Sequence, residues 1–429
     1  MEAAEGDAVY YGASEKSKKR KSPEKFEINQ SSNFPLDELN QDVLEQVLSW
    51  LPTSNFFRYT SVCKRWKSVA NSATFRLACS QIPSREPWYF MVDSQPHFQN
   101  QPIVFDSAEN NWKRLNFPPP LLQQKQSCCN LVPVAASGGL LCFLSSPSDD
   151  FIICNPLTGE CREIVSLNYE IKITKTLLGI GMISSPESYN LVLLCGELSE
   201  LSIRVYNSST QKWEEETMLK RNLDFAAEDD NDHAVYFLSK CGNVVVSTNL
   251  QRSPCKQYSS VITDKKGEKI MYFLSSSGTI VACNLTRKLF SEYPRILAVY
   301  HEYSIDLVEC GGEVCVVLLM EFLESASLRV WKFDENGQSW HQIAAMPPAM
   351  SHGFYGKKVD INCTGAGHQI LVCLNSADVC SYFLCNSVDN EWIEVPNCYV
   401  NGEAKEFVCA FTFEPRIEAS VWGEGKKNK

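Results

Sequence analysis

A repeated heptapeptide constrains the fold of this chain more than any other feature. Seven copies occur after residue 100, each beginning with Asn or Asp and ending six residues later with Trp, Cys or Phe. The copies are DSAENNW at Asp106, NPLTGEC at Asn155, NSSTQKW at Asn207, NLQRSPC at Asn249, NLTRKLF at Asn284, DENGQSW at Asp334 and NSVDNEW at Asn386. Successive copies start 35 to 52 residues apart, which is the period of one four-stranded blade in a β-propeller.

The composition of each heptapeptide indicates a hairpin turn. An Asn or Asp side chain at the first position can bind the backbone two residues further on and so reverse the chain. The bulky last residue then opens the returning strand and packs between neighbouring sheets. We therefore assign a structural role in the repeat, rather than ligand stacking, to the aromatic last residues Trp112, Trp213, Phe290, Trp340 and Trp392.

Residues 88–416 have an all-β pattern, in which short apolar runs alternate with Gly, Asn, Ser and Pro. Two stretches, VYFLSKCGNVVVSTNL from Val235 and MYFLSSSGTIVACNL from Met271, are near copies 36 residues apart, which favours seven blades. Omitting the weakest heptapeptide, NLQRSPC, leaves six blades. We expect the strand-like run at 406–413 to complete the first blade and close the ring, so that no long sheet edge stays open.

A helical periodicity precedes the repeats. In LNQDVLEQVLSWLP the apolar residues form one stripe at the helical period, with Asn40 as the expected cap and Pro52 as the expected end. A second helical segment, NFFRYTSVCKRWKSVAN, repeats the stripe and carries its cations largely off that face. A unit of this size buries little apolar surface alone, so we expect it to dock on a partner.

These two helical segments resemble an F-box, the motif that binds the Skp adaptor of SCF-type ubiquitin ligases. The stretch VCKRW at 62–66 and the apolar helices agree with the motif in residue type and spacing. Asn40 stands where the motif usually has a proline after its leucine. The resemblance implies an adaptor-binding surface made of Leu39, Val43, Leu44, Val47, Leu48, Leu51, Pro52, Val62, Cys63 and Trp66.

The repeat region is similar to the kelch-type propellers of plant F-box/kelch-repeat proteins. In that family a stretch like REPWYFM, here at 85–91, follows the F-box, and each blade has a turn of the VxNPxTxxW type. The kelch double glycine is present at 138–139 and 311–312 but reduced to one residue at Gly242 and Gly278. The predicted fold class is multidomain α plus all-β, a small helical F-box followed by a β-propeller, with seven blades favoured and six possible.

Composition sets the predicted domain boundaries. They are a disordered basic tail at 1–33, the F-box at 34–80, a linker at 81–87, the propeller at 88–416 and a disordered tail at 417–429. The run KKRK at 18–21 is either a basic cluster of the nuclear-import type or a solvated charge run. The expected localisation is the nucleus, the cytoplasm or both.

Charge and residue spacing argue against several other functions. The formal net charge of -11 opposes binding to a phosphate backbone, so we predict no nucleic-acid partner. The nineteen cysteines are scattered without a C-x-x-C pair, which favours free thiols in a reducing compartment. No long uncharged apolar run occurs, so we also predict no membrane partner.

The spacings associated with catalysis and cofactors are missing from the sequence. The six histidines are well separated, and no phosphate-binding loop or nucleophile elbow occurs. We therefore predict no catalytic residue, no metal and no cofactor. The acidic loop at 224–233 is interpreted as a solvated insertion or as a patch that selects a basic partner.

These patterns support one favoured function and two rivals. The favoured function is the non-catalytic substrate-recognition subunit of an SCF-type ubiquitin ligase, whose F-box binds a Skp-type adaptor and through it a cullin. Its propeller would bind a substrate protein that the sequence does not identify. The rivals are a propeller scaffold that engages no ligase and a propeller enzyme like the kelch-containing copper oxidases, which needs His with Tyr or Cys ligands on the central axis.

Overall fold

The structure, a computed structural model, describes most of the chain between residues 39 and 422. The described ranges are 39–93, 102–115, 130–146, 148–165, 176–185, 187–222, 236–238, 244–246, 258, 260–275, 279–296, 303–322 and 324–422. The chain divides into two compact units, Met1–Leu44 and Glu45–Lys429. The predicted tail at 1–33, its basic run and the acidic loop at 224–233 lie outside the described residues.

Four short helices occupy the predicted helical segment. They are α1 (Gln41–Ser49), α2 (Thr53–Tyr59), α3 (Lys64–Val69) and α4 (Ala73–Ser80). The second predicted segment is divided at Cys63, whose extended backbone precedes α3 and whose thiol accepts a hydrogen bond from Trp66 N at 3.5 Å. Ser72 caps α4 in the same way, because its hydroxyl accepts from Phe75 N at 3.4 Å.

The first three β-sheets follow the helices. Blade 1 contains β1 (Trp88–Asp93), β2 (Ile103–Asp106) and β3 (Asn111–Arg114) together with the last strand of the chain, β30 (Phe407–Phe413). Blade 2 contains β4 (Asn130–Ser137), β5 (Leu140–Ser146), β6 (Asp150–Cys154) and β7 (Cys161–Ile164). Blade 3 contains β8 (Leu177–Ser184), β9 (Tyr189–Glu197), β10 (Glu200–Asn207), β11 (Lys212–Trp213) and β12 (Thr217–Met218).

Three further sheets complete the series. Blade 4 contains β13 (Lys220–Arg221), β16 (Val261–Lys265), β17 (Glu268–Leu274), β18 (Ile280–Asn284) and β19 (Leu289–Tyr293). Blade 5 contains β20 (Tyr303–Cys310), β21 (Glu313–Phe322), β22 (Ser325–Asp334) and β23 (Ser339–Ala345). Blade 6 contains β24 (Asp360–Ala366), β25 (Gln369–Asn375), β26 (Cys380–Asn386) and β27 (Glu391–Glu394). Between blades 5 and 6 lie helix α5 (Pro348–Ser351) and a 3₁₀ turn (His352–Phe354).

The propeller has six blades, so the favoured count of seven was wrong and the alternative of six is confirmed. Each blade places one strand, its first, at the inner side of the ring, and in blade 1 this strand is β30. These inner strands neighbour one another in a closed circle, in the order β30, β4, β8, β16, β20 and β24. The disputed heptapeptide at Asn249 lies outside the described residues. The described strands before it, β14 (Tyr236–Leu238) and β15 (Val244–Val246), pair only with each other, as do β28 (Cys398–Val400) and β29 (Glu403–Lys405). The long interval between Asn207 and Asn284 therefore contains one blade rather than two.

The other six heptapeptides form the turn between the third and fourth strands of their blades, as predicted. The first side chain accepts a hydrogen bond from the backbone N–H two residues later in every case, at 2.9–3.1 Å. The fifth residue adopts a left-handed backbone with φ between 48° and 72°. Side-chain capping and this left-handed residue together reverse the chain, and the capping explains why Asn or Asp recurs at the first position.

The C-terminal strand closes the ring as predicted. Strand β30 pairs antiparallel with β1, so that Trp88 lies opposite Phe413 and Phe90 opposite Phe411. Neighbouring blades are joined by buried apolar clusters, and one of them contains β1, β30 and blade 2 side chains. The first blade thus combines strands from both ends of the propeller sequence, which leaves no open edge in the ring.

The aromatic last residues of the heptapeptides lie at the outer part of the blade interfaces. Each is the second residue of its outer strand, and three of the indoles donate to the backbone of the preceding blade. Trp112 Nε1 donates to Pro396 O at 2.9 Å, Trp213 Nε1 to Val165 O at 3.3 Å and Trp340 Nε1 to Pro294 O at 2.7 Å. Trp392 instead donates to Asn390 within its own turn. Phe290 is buried between blades 3 and 4.

The residues after β30 differ from their prediction. We expected a disordered tail from residue 417, but Ile417 is buried and Val421 has no exposed surface. Segment 414–422, the C-terminal segment below, lies against blades 2 and 3: Asn155 Nδ2 donates to Ala419 O at 2.9 Å and Tyr189 Oη donates to Val421 O at 3.0 Å. The buried apolar residues hold the C-terminal segment against the propeller, although the segment also contains several charged residues. Among the helices of the described chain, none is long and apolar enough to cross a membrane.

Candidate functional site

Exposed apolar side chains are concentrated on the helical segment. Seven of the fourteen exposed large hydrophobic side chains in the described chain fall within residues 43–77. The most exposed are Val62 at 66%, Trp50 at 65%, Leu77 at 63% and Val47 at 53%. Apolar residues scattered singly over a surface need no explanation, so this concentration on one short segment is taken as the candidate interaction site.

The opposite faces of these helices form a small core. Leu48, Phe56, Val69 and Phe75 are all buried, and the rings of Phe56 and Phe75 stack with centroids 4.8 Å apart. The core fixes the direction of the exposed residues, because adjacent positions on a helix point to different sides. Burial of Leu48 therefore turns Val47 and Trp50 outward.

The predicted adaptor-binding residues occupy three kinds of environment. Val43, Val47, Pro52 and Val62 are exposed, Leu39, Leu51, Cys63 and Trp66 are half-buried, and Leu44 and Leu48 are buried. The role of each of these residues in adaptor binding stays a prediction. The burial of Leu48 assigns it to the helical core in this chain.

Three exposed aromatic residues were missed by the sequence argument. Trp50, Phe57 and Tyr59 are all exposed on the same segment as Val47 and Val62. The signal for Trp50 was its place three residues after Val47, which puts both on one side of a helical turn. We define the exposed helical surface as Val47, Trp50, Phe57, Tyr59 and Val62.

An arginine in the linker binds the end of the first helix. Arg85 Nη2 donates to Ser49 O at 3.0 Å and Nη1 donates to Leu51 O at 3.2 Å. The last carbonyls of a helix have no partner within it, and a guanidinium both satisfies them and complements their negative end. Arg85 thus fixes the start of the propeller against α1.

A second arginine, in the C-terminal segment, holds the linker from the other side. Arg416 donates to Ile82 O at 3.1 Å and to Pro83 O at 3.0 Å. It also pairs with Glu414 at 2.6 Å and Glu418 at 3.0 Å, and its own side chain is only 16% exposed. Arg416 and Glu418 are largely shielded from water, so the ion pair between them is stronger than one between exposed residues.

The helices also contact the blade 1 turn directly. Ser54 Oγ donates to Glu109 Oε1 at 2.7 Å, and Glu109 pairs with Lys113 at 3.0 Å and Arg58 at 3.5 Å. The hydrogen bonds from Ser54 and Lys113 hold the pKa of the Glu109 carboxyl below its ordinary value. Thr53 Oγ1 adds a hydrogen bond to Pro415 O at 2.8 Å.

The contacts identify which end of the propeller faces the helices. Glu109 and Glu160 belong to turns between third and fourth strands, and Glu160 pairs with Arg76 of α4 at 3.6 Å. Gly138, in the turn between the first and second strands of blade 2, accepts from Glu414 N at 2.6 Å. Because strand direction alternates, these turns share one end of the ring, and the links between blades lie at the other. Two exposed tyrosines, Tyr355 and Tyr399, belong to such links.

The propeller encloses a channel of about 300 Å³ between its first strands. Its lining includes small polar residues such as Ser137, Thr263 and Thr364, and burial raises the pKa of the neighbouring Glu309. Within the described chain, no group of three or more His, Cys, Asp and Glu side chains is placed to hold a metal ion.

Comparisons with known proteins agree with this architecture. A model of the KIB1-4 beta-propeller matches residues 104–359, more than half of the chain, and a model of the F-box domain matches residues 36–77. F-box only protein 13 of Arabidopsis thaliana is 52% identical over 419 residues, covering 94% of this chain and 90% of that protein. F-box only protein 6 of the same plant is 24% identical, with 88% and 73% covered. An F-box/kelch-repeat protein of that plant is 25% identical, with 90% of each chain covered.

The helices and the six-bladed ring together define an F-box protein with a β-propeller. This confirms the resemblance that the sequence carries at its N-terminal helices. The chain belongs to the KIB1-4 beta-propeller family, and its relatives include plant F-box proteins and F-box/kelch-repeat proteins.

Proposed function

We propose that this protein is the substrate-recognition subunit of an SCF-type ubiquitin ligase. Helices α1 to α4 would bind a Skp-type adaptor, and through it a cullin, while the propeller binds the protein to be ubiquitinated. The observation that carries the proposal is the concentration of exposed apolar side chains within residues 43–77. F-box relatives that match nearly the whole chain support it.

The exposed helical surface is large enough to contribute to a stable complex. Removing a partly exposed Val, Phe or Trp from water contributes about 1–2 kcal/mol. Five such residues supply a total of the same order as the cost of association, which is about 4–15 kcal/mol. Because the margin is small, one charged substitution on this surface should weaken binding strongly.

The protein would act by proximity and perform no bond chemistry of its own. Holding a target near a ubiquitin-charged enzyme replaces a rare encounter by one at high effective concentration. This requires a fixed distance between the adaptor-binding helices and the propeller. The hydrogen bonds of Arg85 and Arg416 to helix and linker carbonyls support such a fixed arrangement.

The end of the propeller opposite the helices is the proposed target-binding face. The helices contact the turns of blades 1 and 2, which leaves the links between blades at the other end. Tyr355 and Tyr399 lie in these links and are exposed, and tyrosine is a frequent anchor in protein interfaces. We further propose that the protein works in the nucleus, the cytoplasm or both, as its basic run at 18–21 suggests.

Co-purification with a recombinant Skp-type adaptor tests the proposal. Val47→Asp places a charge on the exposed helical surface and should abolish co-purification, because the carboxylate would be desolvated on binding. Val388→Asp is the matched control, since Val388 is also exposed, at 67%, but lies in a blade 6 turn. Leu48 is a poorer test position because a charge there would disrupt the helical core.

The outcomes separate the proposal from its rival. Loss of the adaptor in Val47→Asp and retention in Val388→Asp supports the ligase subunit. Failure of the unsubstituted, folded chain to bind any Skp-type adaptor would favour a propeller scaffold that engages no ligase. Circular dichroism of each variant checks that the helices remain folded.

A further inference from the structure

Blade 2 departs from a pattern that the other five blades keep. In each blade the residue before the turn lies directly opposite the last residue of the heptapeptide, and in five blades this pair includes an aromatic ring. The five pairs are Phe105 with Trp112, Tyr206 with Trp213, Cys283 with Phe290, Phe333 with Trp340 and Cys385 with Trp392. In blade 2 the pair is Cys154 with Cys161, so two thiols occupy a place that the fold otherwise fills with a large ring.

The two thiols are close enough to react with each other. The Sγ atoms of Cys154 and Cys161 lie 2.8 Å apart. Residues directly opposite on antiparallel strands have Cα atoms about 4.5–5.5 Å apart, within the range of about 4.4–6.8 Å that a disulfide spans. A disulfide could therefore form across β6 and β7 without a shift of the strands.

The two cysteines differ in how easily they meet an oxidant. Cys154 is fully buried, and this burial raises the pKa of its thiol well above the ordinary value. Cys161 is partly exposed at the start of the outer strand. A soluble oxidant would thus reach Cys161 first, and Cys154 would complete the reaction from inside the blade.

We propose that Cys154 and Cys161 form a reversible dithiol–disulfide pair that is oxidised by peroxides. The Cys161 thiolate attacks hydrogen peroxide, the O–O bond breaks, and Cys161 becomes a sulfenic acid while hydroxide leaves. The Cys154 sulfur then attacks the sulfenic sulfur, the S–O bond breaks, and the oxygen leaves as water with the Cys154 proton. Reduction by a small dithiol returns both residues to thiols through exchange.

The position of the pair connects it to the helices. The pair closes the turn 155–160, in which Glu160 binds Arg76 of α4 and Asn155 Nδ2 donates to Arg416 O at 2.9 Å. A disulfide would restrict this turn, which supports both the helices and the C-terminal segment. The inference concerns the oxidation state of the chain and does not depend on adaptor binding.

Peptide mapping of the full-length protein tests the proposal. The protein is treated with hydrogen peroxide, remaining thiols are alkylated, and the chain is cleaved after Glu160, which separates Cys154 and Cys161 into different peptides. The expected result is a linked peptide pair that has lost two hydrogen atoms and that disappears after dithiothreitol. Cys161→Ser should abolish the link and leave Cys154 reduced.

The chain contains its own matched controls. Cys283 and Cys385 occupy the same place in blades 4 and 6 but lie opposite Phe290 and Trp392. Both should therefore stay reduced, form no link and become alkylated only after the protein is unfolded. A linked pair in the native protein that survives Cys154→Val, or oxidation of Cys161 to a sulfinic acid without a link, would overturn the proposal. So would complete resistance of both thiols while the partly exposed Cys380 reacts.

Discussion

Substitution of Arg416 by methionine should loosen the helices from the propeller. Methionine keeps most of the aliphatic volume of Arg416 but removes its hydrogen bonds to Ile82 O and Pro83 O and its ion pairs with Glu414 and Glu418. The change therefore tests whether this network, rather than apolar packing, holds the linker in place.

The expected loss follows from the burial of the network. Hydrogen bonds to charged groups contribute about 1.5–3 kcal/mol each, and removing one partner of a buried ion pair costs about 3–5 kcal/mol. The Glu418 side chain is 6% exposed and would lose its partner, whereas Glu414 is 34% exposed and can be solvated. We expect a net loss of about 3 kcal/mol, which corresponds to about a 100-fold change in a local opening equilibrium.

Native-state hydrogen exchange measures this opening. Amides of α2 and α4 in Arg416→Met should exchange about 100-fold faster than in the unsubstituted protein, while amides in blades 4 and 5 keep their rates. Arg287→Met is the control, because Arg287 pairs with Glu268 at 2.6 Å but is 64% exposed and should contribute little. Equal effects of the two substitutions, or no change at α4, would refute the reasoning.

Three further predictions follow from particular contacts. Trp340→Ala should destabilise the interface of blades 4 and 5 by about 3 kcal/mol, seen as a lower thermal midpoint, and leave adaptor co-purification unchanged. Gly139→Ala should also lower the midpoint, since a Cβ there would lie 2.7 Å from Ala419 Cβ, whereas Gly353→Ala meets open space and should not. The lowered pKa of Glu109 contributes stability that is present above its ordinary value of 4.5 and is lost as pH falls through the lowered value. In Glu109→Gln the free energy of unfolding should therefore fall less steeply as the pH drops below 4.5.

Much of the fold was predictable because the turn chemistry is local. An Asn or Asp that caps its own turn requires no distant partner, and all six of the predicted heptapeptides that the structure describes form such a turn. Blade number was less certain, since the heptapeptide at Asn249 shares the residue types of a turn. Whether such a turn belongs to a four-stranded blade depends on strand pairing between distant residues, which residue type alone does not determine.

The position of the candidate site in the chain was predictable, but the exposure of its individual residues was less so. Helical periodicity identified the apolar stripe, but it could not show that Leu48 is covered and Val47 is exposed, because this depends on packing against other helices. Residues 417–422 were misassigned for a related reason. Their composition predicted the start of a disordered tail, whereas Ile417 and Val421 are buried by packing that residue types alone do not show.

Titration calorimetry of the purified chain with a purified Skp-type adaptor tests the central claim most directly. The account predicts a one-to-one complex with a negative heat-capacity change, the signature of apolar burial, and weak dependence on salt. It also predicts that Trp50→Ala reduces both the affinity and the size of the heat-capacity change. Absence of binding, or binding that Trp50→Ala leaves unchanged and that salt abolishes, would contradict the assignment of the exposed helical surface as the adaptor-binding site.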